Sequence, residues 1–188
     1  MLIRQFKQED PNDSTRLGEF DNLFKVPIGI EVAHHEIHEG DGFTLCLATA
    51  DLSAADIGFS WTTPAGTKRM HMWISALSTE DAVFTFYEGG TPAGGGAATP
   101  LNRNRGSGTT SSATLFKSGA VSTGGGPATL CQKRWGTNGI GNQSGTGAGD
   151  RAVNEWVLNP STSYHVIMSG AGNEPAWLEL DWYEHTDE

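Results

Sequence analysis

Three histidines and two glutamates fall within six residues in HHEIHEGDGF, residues 34–43: His34, His35, Glu36, His38 and Glu39. Imidazole and carboxylate groups ligate metals and move protons, so the chemistry such a cluster could do is metal binding or acid–base work. A zincin helix requires His-Glu-x-x-His, which puts both histidines one turn apart on one face. Here Glu39 stands where the second histidine of that motif would be. His34 and His38 are four apart, but the surrounding run, IEVAHHEIH, alternates with a period of two. In a strand His34, Glu36 and His38 share one face, with about 6–7 Å between successive positions. A metal there would need further ligands from elsewhere, and His71 and His165 are isolated candidates. The stretch therefore reads as a polar strand ending in a tight GDG turn, with no metal and no cofactor expected.

Other chemistry has less to stand on. No G-x-S-x-G elbow is present. Cys46 and Cys131 have no CxxC partner and no basic surroundings that would lower a thiol pKa, and Cys46, flanked by Leu45 and Leu47, reads as a small packed hydrophobe. GGGPATLCQKRWG and GGTPAGGG lack the G-K-[ST] ending of a phosphate loop. Six tryptophans (61, 73, 135, 156, 177 and 182) with acidic residues on strands would suit a glycoside hydrolase or, more credibly, a sugar-binding surface. Glu179 and Asp181 share one strand face without marking a catalytic pair, and tryptophans more often pack in cores and interfaces. LNRNRGSG, residues 101–108, alternates Asn102, Arg103, Asn104 and Arg105. Guanidinium forks and amides in that order suit an intersubunit contact, with a solvated loop as the plain alternative.

The elements that must position these residues follow from period and punctuation. The chain has 188 residues with a net charge of −10, which argues against general nucleic-acid binding. The charge is uneven: residues 66–134 hold seven basic side chains against three acidic ones, while the C-terminal end is acidic. MLIRQFKQEDPND carries charges where a signal peptide needs an apolar run, and no 18-residue apolar stretch would span a membrane. The expectation is a chain made and folded in a cytoplasm.

Residues 1–28 read as an extended arm with spaced apolar residues, among them Phe6, Phe20, Leu23 and Phe24, and with room for a short helix around Thr15–Phe24. From Ile30 onward strand-like runs follow one another: FTLCLATADL, ADIGFSWTT, RMHMWISAL, AVFTFYEGG, AVNEWVL, SYHVIMSG and AWLELDWYEH. In the last, Leu178, Leu180 and Trp182 form the apolar set that should face a core. Residues 89–149 hold 17 of the 25 glycines and only brief strand signals, SATLFKS and ATLCQKRW, so they read as long loops. The expected fold is all-β, an antiparallel β-sandwich of jelly-roll type over residues 29–188, with an N-terminal arm, long Gly-rich loops and no helix in the body.

Five pieces in order, HHEIHEGDGF, TTPAGTKRMHMWIS, FTFYEGG, TPLNRNRGS and LELDWYEHTDE, resemble a family of small structural proteins of tailed bacteriophages. The resemblance covers residues 30–188 and leaves the arm out. It implies a virion component without enzymatic activity, made in the host cytoplasm and seated on the capsid exterior. The implied role is decoration, or cementing, of the head by a homotrimer bound to the major capsid protein. In that setting Phe6, Phe20, Leu23 and Phe24 would be the capsid-binding arm, and Asn102–Arg105 an intersubunit or capsid contact. The alternative is a host- or carbohydrate-binding virion protein, such as a head fibre or tail adhesin, whose partner would be a host-surface glycan. Neither nucleic acid nor membrane is expected as a partner.

Overall fold

The computed structural model describes residues 19–20, 27–28, 32–79, 81–92, 95–118, 125–135, 144–146, 155–170 and 175–186. Their order is β1 (Glu19–Phe20), β2 (Pro27–Ile28), α1 (Val32–Glu39), β3 (Gly42–Thr49), β4 (Ile57–Thr62), β5 (Lys68–Ser78), β6 (Ala82–Glu88), β7 (Gly96–Ala97), β8 (Leu101–Asn102), β9 (Thr114–Ser118), β10 (Ala128–Trp135), β11 (Ser144–Thr146), β12 (Trp156–Leu158), β13 (Ser163–Gly170) and β14 (Ala176–Thr186). The fold is all-β, and its two large sheets are antiparallel. One runs β10-β6-β13-β4-β9-β7. The other runs β11-β5-β14-β3-β8, with β12 also paired to β5. The eleven-residue β5 is long enough to share its outer edge between two short strands, β11 at Ala76–Ser78 and β12 at Met70–Met72.

Strict alternation decides which side chains each sheet turns inward. On β14, Leu178, Leu180 and Trp182 are buried as expected. They join one apolar cluster with Met70, Met72 and Phe43 of the same sheet and with Phe59, Trp61, Phe84, Phe86, Val166 and Met168 of the other. Trp61, Phe86 and Tyr164 form a triangle of rings, with the Trp61 centroid 6.0 and 5.8 Å from the other two and those two 5.9 Å apart. Each such side chain taken out of water contributes about 1.5–3 kcal/mol before the entropy of ordering it is subtracted.

Three local readings need correction. Residues 32–39 form a helix, not a strand. Its inward residues are Ala33, Glu36, Ile37 and Gly40, spaced i, i+3, i+4 and i+7, while His34, His35, His38 and Glu39 are exposed. The body of the fold therefore does contain a helix. Second, Cys46 is exposed, and its neighbours Leu45 and Leu47 are the residues that pack against the core. Third, Glu19–Phe20 is extended and pairs with Pro27–Ile28, so it is not part of a helix over Thr15–Phe24. A short isolated helix is marginal in water, whereas pairing gives both segments backbone partners. This small ribbon joins neither large sheet.

Candidate functional site

The outer face of β14 carries Trp177, Glu179, Asp181, Tyr183 and His185, and α1 lies across one end of it. Ala33 on the helix, Trp73 on β5 and Tyr183 form a small buried cluster of their own. Gly42 permits the close approach, because a Cβ there would stand 2.7 Å from Cγ1 of Ile37. The helix ends on Gly40 at φ +92°, a left-handed conformation that glycine adopts freely. Asp41 N–H donates to the Glu36 carbonyl at 2.9 Å and Gly40 N–H to the Ile37 carbonyl at 3.2 Å, the paired bonds of a Schellman stop.

The loop 101–109 then clasps this helix end. Asn102 Nδ2 donates to the Gly40 carbonyl at 2.6 Å and to the Thr109 carbonyl at 3.0 Å. Asn104 Nδ2 donates to the His38 carbonyl at 2.8 Å, and its backbone N–H donates to Asn102 Oδ1 at 2.8 Å. Arg103 donates its backbone N–H to the Gly42 carbonyl at 2.8 Å, and its guanidinium lies 3.6 Å from Asp181. Arg105 donates to the Asn102 carbonyl at 3.3 Å. The four residues singled out as a contact thus all have partners within the chain, and Asn102 is buried. Of the arm residues, Phe6, Leu23 and Phe24 lie outside the described residues, and for Phe20 only the backbone pairing is described.

Beneath the helix is a network of titratable groups. Glu155 Oε1 accepts from His71 Nδ1 at 2.6 Å and from the Tyr183 hydroxyl at 2.9 Å. The His71 ring stacks on Tyr183 at 4.6 Å, and His185 lies 5.1 Å from His71. Burial raises the Glu36 carboxyl pKa; His185 opposes the rise, and Glu39 and Asp41 add to it. His71 Nε2 is shut off from solvent, while Nδ1 is held by Glu155. Glu155 was missed in the sequence because nothing marks it there.

On the exposed flank of α1 the histidines come together. His34 Nε2 and His38 Nε2 are 2.8 Å apart, with rings stacked at 4.7 Å. His35 Nε2 is 3.4 Å from Glu39 Oε1, and the ligand atoms of His35, Glu36 and Glu39 all lie within 4.8 Å of one another. His165 is fully buried, with Nε2 donating to the Gly89 carbonyl at 2.8 Å, far in sequence and partner from this helix.

The remaining candidates separate. Glu179 and Asp181 share a face; burial, then Asp181, raises the Glu179 pKa. Burial, then Glu179, raises the Cys46 thiol, which disfavours the thiolate a nucleophile needs. Trp61, Trp73 and Trp182 are buried, Trp177 is half-buried and Trp156 is exposed. Only the backbone of Trp135 is described. Among the described residues the tryptophans therefore form no common exposed platform. Glu184 is a further missed residue, and here a signal existed: it has the same parity as Leu178, Leu180 and Trp182, so alternation aims its carboxylate inward.

Comparison with protein-family models, with curated proteins and with solved structures gives no match to this chain.

Proposed function

We propose that the chain is a structural protein of a tailed-bacteriophage virion: a capsid decoration protein that sits on the outer shell as a homotrimer, contacts the major capsid protein and reinforces the head. One observation carries the reading. Four of the five sequence pieces that resemble that family meet around one sheet face: HHEIHEGDGF as α1 and the start of β3, TTPAGTKRMHMWIS reaching into β5, TPLNRNRGS as β8 and its clasp, and LELDWYEHTDE as β14. Such a meeting is what a shared fold would require of them.

The strand order supports a jelly-roll sandwich. β3-β14-β5-β12 in one sheet and β4-β13-β6-β10 in the other match the eight-strand, double Greek-key order, with β7 to β9 as an insertion. Jelly rolls serve as capsid and lectin domains alike, so the order alone does not choose between the two. The network under α1 favours the structural role, since its groups are spent on one another. In this reading the chain has no catalytic task, and residues 1–28 act as the arm that reaches the capsid.

Cryo-electron microscopy of the purified virion tests the proposal. Density of this protein at threefold or quasi-threefold positions of the shell is expected. Density confined to the tail tip would reject the decoration role and favour the host-binding alternative, in which exposed Trp156 would be the first sugar contact to replace with alanine on a glycan array.

A further inference from the structure

The helix changes what His34 and His38 can do. In an extended chain two residues four apart are about 13 Å from each other. On α1 they are one turn apart, and their Nε2 atoms come to 2.8 Å. Both side chains are exposed, so solvent and ions reach them. Two imidazole nitrogens bound at right angles to one metal at about 2.0–2.1 Å are about 2.9 Å apart. The separation is close to the bite of a chelate; without an ion one ring donates a hydrogen bond to the other across it, and an entering ion would replace that shared proton.

We propose that His34 and His38 form a bidentate site for a borderline divalent transition-metal ion, of the Cu²⁺, Ni²⁺ or Zn²⁺ type, with water completing the coordination. Imidazole suits these ions, whereas Mg²⁺ and Ca²⁺ prefer oxygen donors. The site is held in advance of the ion. The Schellman stop at Gly40 fixes the helix end, and Asn104 Nδ2 holds the His38 carbonyl at 2.8 Å. The rings are already stacked at 4.7 Å, so little side-chain freedom is left to lose. Once one nitrogen binds, the second is presented at high effective concentration.

A second set of donors, His35, Glu36 and Glu39, stands beside the pair and is the natural competitor. Burial holds Glu36 against the sheet, and the His35–Glu39 contact of 3.4 Å is already an internal pair. The inference stands independently of the virion role, because it uses only the helix and its two rings.

Isothermal titration calorimetry of the full chain with CuCl₂, NiCl₂, ZnCl₂ and MgCl₂ tests it. The expected result is saturable binding of one ion per chain through this pair, tighter for Cu²⁺ than for Ni²⁺, with no heat from Mg²⁺. His34→Gln and His38→Gln should each weaken Ni²⁺ binding roughly tenfold or more, since each removes half of the chelate. The double variant His35→Gln/Glu39→Gln should leave it within about threefold on the same grounds. All the replaced side chains are exposed and buried Glu36 is left alone, so far-UV circular dichroism should confirm an unchanged fold. Absence of saturable binding to the unmodified chain would overturn the proposal. So would equal binding by the His34→Gln/His38→Gln chain, or loss of binding only when His35 and Glu39 are replaced.

Discussion

Trp182 and Glu184 point the same way from β14, one into the apolar cluster and the other into a polar pocket beside it. Trp182 is 2% exposed and Glu184 1%. Glu184 Oε1 accepts from the Ser111 hydroxyl and, at 3.1 Å, from Trp182 Nε1, while Oε2 accepts from Ser112 N–H at 2.9 Å. Truncating Trp182 to alanine removes a large core side chain and should cost about 3–5 kcal/mol. That loss is read as a lower urea midpoint with an unchanged slope. Glu184→Ala strands buried donors at about 1–3 kcal/mol each; Glu184→Gln keeps one acceptor and should fall between it and the parent chain. His165 adds a pH dependence. Burial lowers its pKa, with the Gly89 carbonyl opposing. The unfolded chain then binds the proton more readily than the folded one, so stability holds above the ordinary imidazole value of about 6.5 and falls as the pH drops below it. The raised carboxyl pKa values of Glu36 and Glu179 act in the opposite direction, favouring the folded chain on acidification. The informative quantity is therefore the difference between the parent chain and His165→Gln, followed by urea midpoints from about pH 7.5 down to about pH 5.5. The parent should lose more stability than the variant over that range, and parallel profiles would show that His165 keeps its ordinary affinity for the proton.

At the scale of elements, α1 is a helix made by its surroundings more than by its own residues. Asn102 is central, because it closes both the helix end and its own loop. Asn102→Ala should cost about 1–3 kcal/mol through the two carbonyls it leaves unpaired. Hydrogen exchange should show α1 amides losing protection while β14 amides keep theirs. Gly40→Ala should act in the same place for a different reason, since its φ of +92° strains any side chain and the new Cβ would run into Ser107. This helix is also where sequence and structure part company. Strands β4, β5, β6, β13 and β14 were legible because apolar residues recur at alternate positions and these sets face one shared core. The helical stripe of α1 was hidden because one of its inward positions is a glutamate, Glu36, and another a glycine, Gly40, while Ile30, Val32 and His34 happen to alternate. The Asn-Arg-Asn-Arg run was legible as a cluster of hydrogen-bonding groups, but its partners, the His38 and Gly40 carbonyls, exist only once the helix has formed. Glu155 was invisible for the same reason: its role comes from His71, 84 residues away.

For the whole molecule the question is what covers the rest of the sheet face that α1 leaves open. Leu77 on β5 is 41% exposed and Leu101 on β8 is 56% exposed. Exposed Ala48 on β3 and half-buried Trp177 on β14 stand in one cross-strand row with Leu77, while Leu101 lies two rows further along, beside Thr44 and Asp181. Single exposed leucines are ordinary, but a run of apolar side chains across one face is what a subunit contact uses. A net charge of −10 opposes self-association at long range, so a trimer of this chain needs such a contact at short range. Replacing Leu77 and Leu101 together with lysine leaves the inward faces of β5 and β8 untouched, so the monomer fold should hold to within about 1 kcal/mol by urea denaturation. The same change places two solvated charges in any contact made by this face. Light scattering behind size exclusion should then report a trimer for the parent chain and a monomer for the double variant. A trimer that survives both lysines would put the subunit contact elsewhere, whereas a parent chain that runs as a monomer would count against a preassembled trimer.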